Sequence, residues 1–182
     1  MKYGLIGEHL PHSFSKEIHG KCAPYEYEVK ELTPEAVGAF MEAGDFAAIN
    51  VTIPYKQTVM PYLYYIHETA ARIGAVNTVV NRGGKLFGYN TDFYGMIALI
   101  RHAGVEIMGK KVLILGTGGT ARTARAVVAS LGADTVVTVG RIAAEGVVFT
   151  ADILVVRVYA EHITPGILHF AVVTVDVEGL AV

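Results

Sequence analysis

Apolar and polar positions follow one another in short runs, and the breaks between runs fall on glycine and proline. Tyr3 to Ile6 reads as a first strand stopped by Gly7, and the polar, proline-containing stretch Glu8 to Ser15 reads as an exposed loop of the kind that often carries ligands. Tyr25 to Val29 alternates like a strand. Thr33-Pro34-Glu35 then supplies an N-cap, a proline at the first helical position and an early acid, with Gly44 closing the helix. Ala47 to Thr52 is a short β-prone run closed by Ile53-Pro54, and Met60 to Ile73 has helical spacing up to Gly74. Val76 to Asn81 and Lys85 to Tyr89 read as two strands joined across Gly83-Gly84, and Phe93 to Ala103 reads as a helix stopped by Gly104.

The polar, glycine-containing stretch Gly104 to Lys111 marks a boundary between two parts, 1–104 and 105–182. Beyond it, Val112 to Leu115 is an apolar run suited to a buried parallel strand. Ala121 to Leu131 is an alanine-rich helix with Gly132 as its stop, and Thr135 to Val139 is a β-branched strand. Ile153 to Val158 and Val172 to Val177 read as two more strands, so the predicted class is α/β in both parts.

Composition narrows the functional classes. The 182 residues are 52% hydrophobic, enough to bury a sizeable core, and the net charge of −2 comes from both signs scattered along the chain. No basic stripe offers itself to a nucleic-acid backbone, and no run approaches the roughly 20 apolar residues needed to cross a bilayer, so neither nucleic acid nor membrane is an expected partner. The lone Cys22 and the absence of an apolar leader point to a reducing, cytoplasmic setting. The seven histidines show neither an HExxH arrangement nor a cysteine partner, so no metal site is expected.

Four segments carry candidate chemistry. Gly116-Thr117-Gly118-Gly119-Thr120-Ala121 fits GxGxxG/A between a predicted strand and a predicted helix, the context in which a backbone turn and a helix N-terminus cradle a pyrophosphate. The plainer alternative is a sharp structural turn. After the next strand the chain presents Gly140-Arg141 where an NAD-selective site usually offers a carboxylate, and a guanidinium there suits the 2′-phosphate of NADP; a solvated strand-end arginine is the other reading. Asn50 to Lys56 places Thr52 and Lys56 around Pro54. A partly desolvated lysine can exchange a proton with a carbonyl that gains a hydride, although a surface position is the commoner fate of the type. Asp92, at a helix start, reads either as a cap or as a catalytic acid. Tyr25, Tyr27, Tyr55 and Tyr62 to Tyr65 read as amphipathic core or rim residues.

Taken in order along residues 3 to 141, five motifs together resemble the shikimate dehydrogenase family. They are His12-Ser13-Phe14-Ser15 with Ile18-His19, Asn50 to Lys56, Gly74-Ala75-Val76-Asn77-Thr78, Asn90-Thr91-Asp92 with Gly95, and Gly116 to Ala121. The resemblance implies a substrate-binding α/β domain over 1–104 and a Rossmann-like domain over 105–182. The implied activity is reversible, NADP-dependent reduction of 3-dehydroshikimate to shikimate. By the family pattern Ser13 and Ser15 hold the substrate carboxylate, Thr52, Asn77 and Asp92 contact the ring hydroxyls, and Lys56 is the general acid/base paired with Asp92. Gly116, Thr117, Gly118, Gly119, Thr120, Ala121 and Arg141 fall to the cofactor. The implied partner is a small-molecule substrate, and the implied assembly a monomer or homodimer. Two alternatives stay open: a quinate/shikimate enzyme using NAD, and a non-catalytic cofactor-binding relative, against which the presence of both Lys56 and Asp92 argues.

The chain departs from the family after Arg141. Only Ile142 to Thr150 separates two predicted strands, short for a crossover between parallel neighbours, and no residue matches the glutamine of the family's returning C-terminal helix. The second domain is therefore expected to be incomplete on its C-terminal side, truncated or gapped between residues 141 and 172.

Overall fold

The structure, a computed structural model, describes residues 1–11, 13–139, 153–157 and 172–174. Contacts divide the chain into two compact units, Met1–Thr91 and Asp92–Val182.

The first unit runs β1 (Tyr3–Gly7), α1 (Ser15–Cys22), β2 (Glu28–Glu31), α2 (Pro34–Ala43), β3 (Ala48–Val51), a 3-10 turn (Met60–Tyr62), β4 (Tyr65–Ile66), α3 (Glu68–Ile73), β5 (Thr78–Arg82) and β6 (Lys85–Tyr89). Its six strands form one sheet in the order β2-β1-β3-β5-β6-β4. β1 pairs in parallel with both β2 and β3, while β5 runs antiparallel to β3 and to β6. The β5–β6 hairpin closes on Gly83-Gly84, both at positive φ (61° and 82°), the backbone that a two-residue primed turn requires. Ile6, Ile49, Val51 and Val79 of the sheet pack with Val37 and Met41 of α2 and Ala70 of α3 into one core. α2 follows its sequence signals, with Pro34 in its first turn and Gly44 left-handed (φ 61°) at its end.

Three local expectations change. Met60 to Ile73 is not one helix: Tyr64 N–H donates to the Leu86 carbonyl (2.9 Å) and His67 N–H to the Gly88 carbonyl (2.9 Å), which draws Tyr65–Ile66 into the sheet beside β6. The helix restarts at Glu68, where the His67 side chain accepts the Thr69 N–H. Tertiary pairing here overrides the helical spacing. β2 sits at Glu28–Glu31 rather than Tyr25 to Val29, because its register is set by Leu5 opposite Val29. α1, finally, has no counterpart among the expected elements: it buries none of its eight residues and so shows no apolar stripe to read.

The second unit begins with α4 (Asp92–His102) and continues through β7 (Lys111–Leu115), α5 (Gly119–Ser130), β8 (Thr135–Val139), β9 (Ile153–Arg157) and β10 (Val172–Thr174). Its sheet has the order β10-β9-β7-β8, with β7 parallel to both β8 and β9 and β10 antiparallel to β9. Val112, Leu113 and Ile114 of β7 are buried, as are Ala121, Ala124, Val127 and Val128 of α5. A parallel β-α-β unit with a glycine-rich first turn is the start of a Rossmann-like sheet. Gly140, Arg141 and the expected interruption at 141–172 fall largely or wholly outside the described residues, as do Val158 and 175–177 of the two expected strands.

Candidate functional site

In the first unit the strands deliver their chemistry to one edge of the sheet. β1 ends at Gly7 and β3 at Val51; β5, being antiparallel to β3, starts at that same edge with Thr78 opposite Asn50, and β6 ends there with Tyr89 opposite Thr78. Backbone bonds continue the ladder past the strands: Val51 N–H donates to the Asn77 carbonyl (2.8 Å) and Asn77 N–H to the Tyr89 carbonyl (3.0 Å). The segments carrying Ser13 and Ser15, Thr52 to Lys56, Asn77, and Asn90-Thr91 all leave from this edge, the carboxyl ends of the parallel strands, where open α/β sheets place their ligands.

A continuous polar network lines the edge. Tyr27 Oη–H donates to Asn50 Oδ1 (2.6 Å), and Asn50 Nδ2 donates to Thr78 Oγ1 (3.2 Å) and to the Asn77 carbonyl (3.5 Å). Thr78 Oγ1 lies 3.1 Å from Asn77 Oδ1, which also receives the N–H of Thr91 (2.8 Å), while Asn77 Nδ2 donates to Thr91 Oγ1 (3.0 Å). Asn77 and Asn90 are buried, and Asn90 spends its amide on the Ala75 carbonyl (3.0 Å), holding the chain just before Thr91. Buried amides bonded in this way have fixed orientations.

The Thr52–Lys56 segment passes through a cis Ile53–Pro54 bond. Tyr55 is 2% exposed and its hydroxyl donates to the Leu32 carbonyl (2.5 Å), while the Lys56 carbonyl accepts the Val76 N–H (2.8 Å). Lys56 is thus half-buried on a backbone anchored at the residue before it and at its own carbonyl. Ser13 and Ser15 are half-buried, and Ser13 Oγ accepts the Ser15 N–H (3.3 Å) at the start of α1. Burial pushes the ionisation of the Tyr27 phenol far upward. His19 of α1 stacks on the Tyr27 ring, with centroids 3.8 Å apart and planes at 12°.

In the second unit, Asp92 is the first residue of α4, an acid in the first turn, where the helix dipole favours it. The segment Gly116 to Ala121 joins β7 to α5. Gly116 has φ 125°, open in practice only to glycine, and Gly116 N–H bonds the Val139 carbonyl (2.8 Å). Gly118 is different. It caps α5 at φ −72°, which any residue adopts, and a Cβ built on it meets nothing within 4 Å. Neither backbone nor internal packing asks for glycine there, so the bare position fits the close approach of a phosphate to an exposed helix start. Thr117 is exposed, Gly119 and Thr120 are half-buried, and Ala121 is buried.

Of the residues expected to act, the structure joins Ser13 and Ser15 at the start of α1, whose His19 stacks on Tyr27, and joins Tyr27 to Asn77 through Asn50; it sets Thr52 and Lys56 on the loop that follows β3. Arg141 and His12 lie outside the described residues. The sequence alone assigns no role to Asn50, Thr78, Thr91, His19 or Tyr27. Asn50, Thr78, Thr91 and His19 sit inside quoted motifs, but Tyr27 carries no local signal and reads as core or rim. Among the described residues no group of three or more His, Cys, Asp or Glu could hold a metal ion, and no helix is long and apolar enough to cross a membrane.

A mixed α/β sheet with amides and hydroxyls gathered at its strand ends, followed by a glycine-turn β-α-β unit, defines a two-part α/β protein whose second part opens like a Rossmann sheet. Residues 5–79 match the model of the shikimate dehydrogenase substrate binding domain. The shikimate dehydrogenase (NADP(+)) of Halothermothrix orenii is 42% identical over 147 residues, covering 76% of this chain and 51% of that protein. The crystal structure of shikimate dehydrogenase 1 from Peptoclostridium difficile superposes with a TM-score of 0.74 at 31% identity, over 86% of this chain and 62% of that one. That of shikimate 5-dehydrogenase from Thermus thermophilus, in complex with NADP(H) and shikimate, gives 0.70 at 29% identity, over 78% and 56%. The chain belongs to the shikimate dehydrogenase family. It spans about half the length of the curated relatives it matches.

Proposed function

We propose that the protein takes part in the reversible, NADP-dependent reduction of 3-dehydroshikimate to shikimate, with residues 1–104 binding the substrate and 105–182 contributing to the nucleotide site. The observation that carries this reading is the polar edge itself: two buried asparagines, three threonine hydroxyls and two serines gathered where the strands end, within and just beyond the region matched by the family's substrate domain. A polyhydroxylated ring acid needs this donor and acceptor density. In this reading Ser13 and Ser15 take the carboxylate, Thr52, Asn77 and Asp92 the ring hydroxyls, and Lys56 is the general acid/base with Asp92 as its carboxylate partner. An ammonium at Lys56 stabilises and protonates the oxygen that becomes an alkoxide on reduction.

Gly116, Thr117, Gly118, Gly119, Thr120 and Ala121 hold the pyrophosphate, and Arg141 the 2′-phosphate. The nicotinamide, when bound, supplies or accepts the hydride. A cytoplasmic setting belongs to the same proposal. Initial rates with shikimate or quinate crossed with NADP or NAD test it: shikimate with NADP is expected to be the fastest pair. Equal or faster turnover of quinate with NAD reassigns the substrate and cofactor, and a folded protein inert with all four pairs returns it to a non-catalytic binding role.

A further inference from the structure

The Tyr27 phenol lies where the two halves of the proposed substrate site meet. Tyr27 is 5% exposed, and its hydroxyl donates to Asn50 Oδ1 at 2.6 Å. Ser15 is the first residue of α1, the helix whose His19 stacks on the Tyr27 ring, and Ser13 is tied to Ser15 through the bond from Ser15 N–H to Ser13 Oγ (3.3 Å). From Asn50 the network runs on through Thr78 and Asn77 to Thr91. A carboxamide can sit in either of two orientations related by a half-turn, and its neighbours choose between them. Here the phenol, as a donor, selects the orientation that puts Oδ1 toward Tyr27 and Nδ2 toward Thr78.

α1 itself has few other means of attachment. None of its residues is buried, and its charged pair, Glu17 and Lys21, bond to each other across an exposed turn (2.6 Å). What fastens it to the sheet is His19, stacked on the Tyr27 ring at 3.8 Å, with its Nδ1 bonded to the Tyr25 hydroxyl. Tyr25 in turn packs on Tyr3 of β1, centroids 4.9 Å apart.

We infer that Tyr27, clamped by His19, is a positioning residue that registers the serine loop against the Asn50–Asn77 amides, so that the carboxylate and the ring of one ligand are met together. The inference rests on the proposed binding of shikimate at this edge. It makes a specific demand: the contribution of Tyr27 is felt through the serine loop, and therefore through the ligand's carboxylate.

Calorimetric titration of the full chain with shikimate and with its uncharged methyl ester tests it, on the unsubstituted protein, Tyr27→Phe and His19→Ala. Both variants are expected to bind shikimate about tenfold more weakly, the scale of one lost neutral hydrogen bond, and the ester within about twofold of the unsubstituted protein. In turnover the same variants are expected to raise KM for shikimate with kcat little changed. Equal loss for acid and ester, in either variant, overturns the inference, because general loosening of the fold treats the two ligands alike; so does unchanged affinity for both. If the unsubstituted chain binds neither ligand, the functional reading itself falls and this inference falls with it.

Discussion

The Asn77 carboxamide and Thr91 face each other across the end of the first sheet: Thr91 N–H meets Oδ1 at 2.8 Å and Asn77 Nδ2 meets Thr91 Oγ1 at 3.0 Å. The pair closes β5 onto the end of the chain's first unit, and the residue that follows Thr91 is Asp92. One buried amide therefore fixes the backbone from which the proposed carboxylate partner departs.

Asn77→Ala tests this closure. It removes the acceptor of the Thr91 N–H and a neighbour of Thr78 Oγ1, so a loss of about 1–2 kcal/mol is expected in urea unfolding, the scale of a buried polar group left unpaired. Shikimate affinity is expected to fall as well. Unchanged stability would show that water replaces the amide without cost.

Gly116 and Gly118 are expected to respond oppositely to alanine. At Gly116, φ 125° makes the substitution costly, by about 1–3 kcal/mol. At Gly118 the backbone is ordinary and a Cβ points into open space, so the folded protein keeps its stability to within about 0.5 kcal/mol. NADP binding should nevertheless weaken at least tenfold in Gly118→Ala, since the added carbon stands where the proposed function brings the phosphate. Thermal melts and a dinucleotide titration on the two variants check the contrast; full NADP affinity in Gly118→Ala would leave the loop as a plain turn.

His19 gives a pH dependence of stability. Burial holds its imidazole below the usual histidine range, against a smaller opposing pull from Asn50. The unfolded chain therefore binds the proton more readily than the folded one. Stability contributed by the neutral ring is present above the unfolded value, about 6.5, and is lost as pH falls from there through the folded value. Urea midpoints at pH 7.5 and pH 5.5 should differ less in His19→Gln than in the unsubstituted protein. An identical difference in both would remove His19 as a source of the slope.

Much of this architecture is legible in the chain because its punctuation is local. Thr33-Pro34 and Gly44 bracket α2, Gly83-Gly84 closes the hairpin, and Gly116 opens the turn into α5, each through backbone conformations that few other residues adopt. The parts that are not legible depend on partners distant in sequence. β4 exists because Tyr64 and His67 find the carbonyls of Leu86 and Gly88. α1 shows no stripe because it is held by one stacked histidine rather than by a buried face. Tyr27 looks like any rim tyrosine until its hydroxyl is seen on Asn50, 23 residues away. The motif residues are visible one by one, whereas the phenol and amides that tie them together are a product of the fold.

The central claim is that Lys56, half-buried on the anchored loop after β3, moves the proton of a shikimate oxidation. Its direct measure is the rate of NADPH formation from shikimate by the unsubstituted protein and by Lys56→Ala, with shikimate affinity determined in parallel. Turnover by the unsubstituted protein that drops about 100-fold or more in Lys56→Ala, with binding retained to within about tenfold, is the predicted result. Undiminished turnover in Lys56→Ala would contradict it.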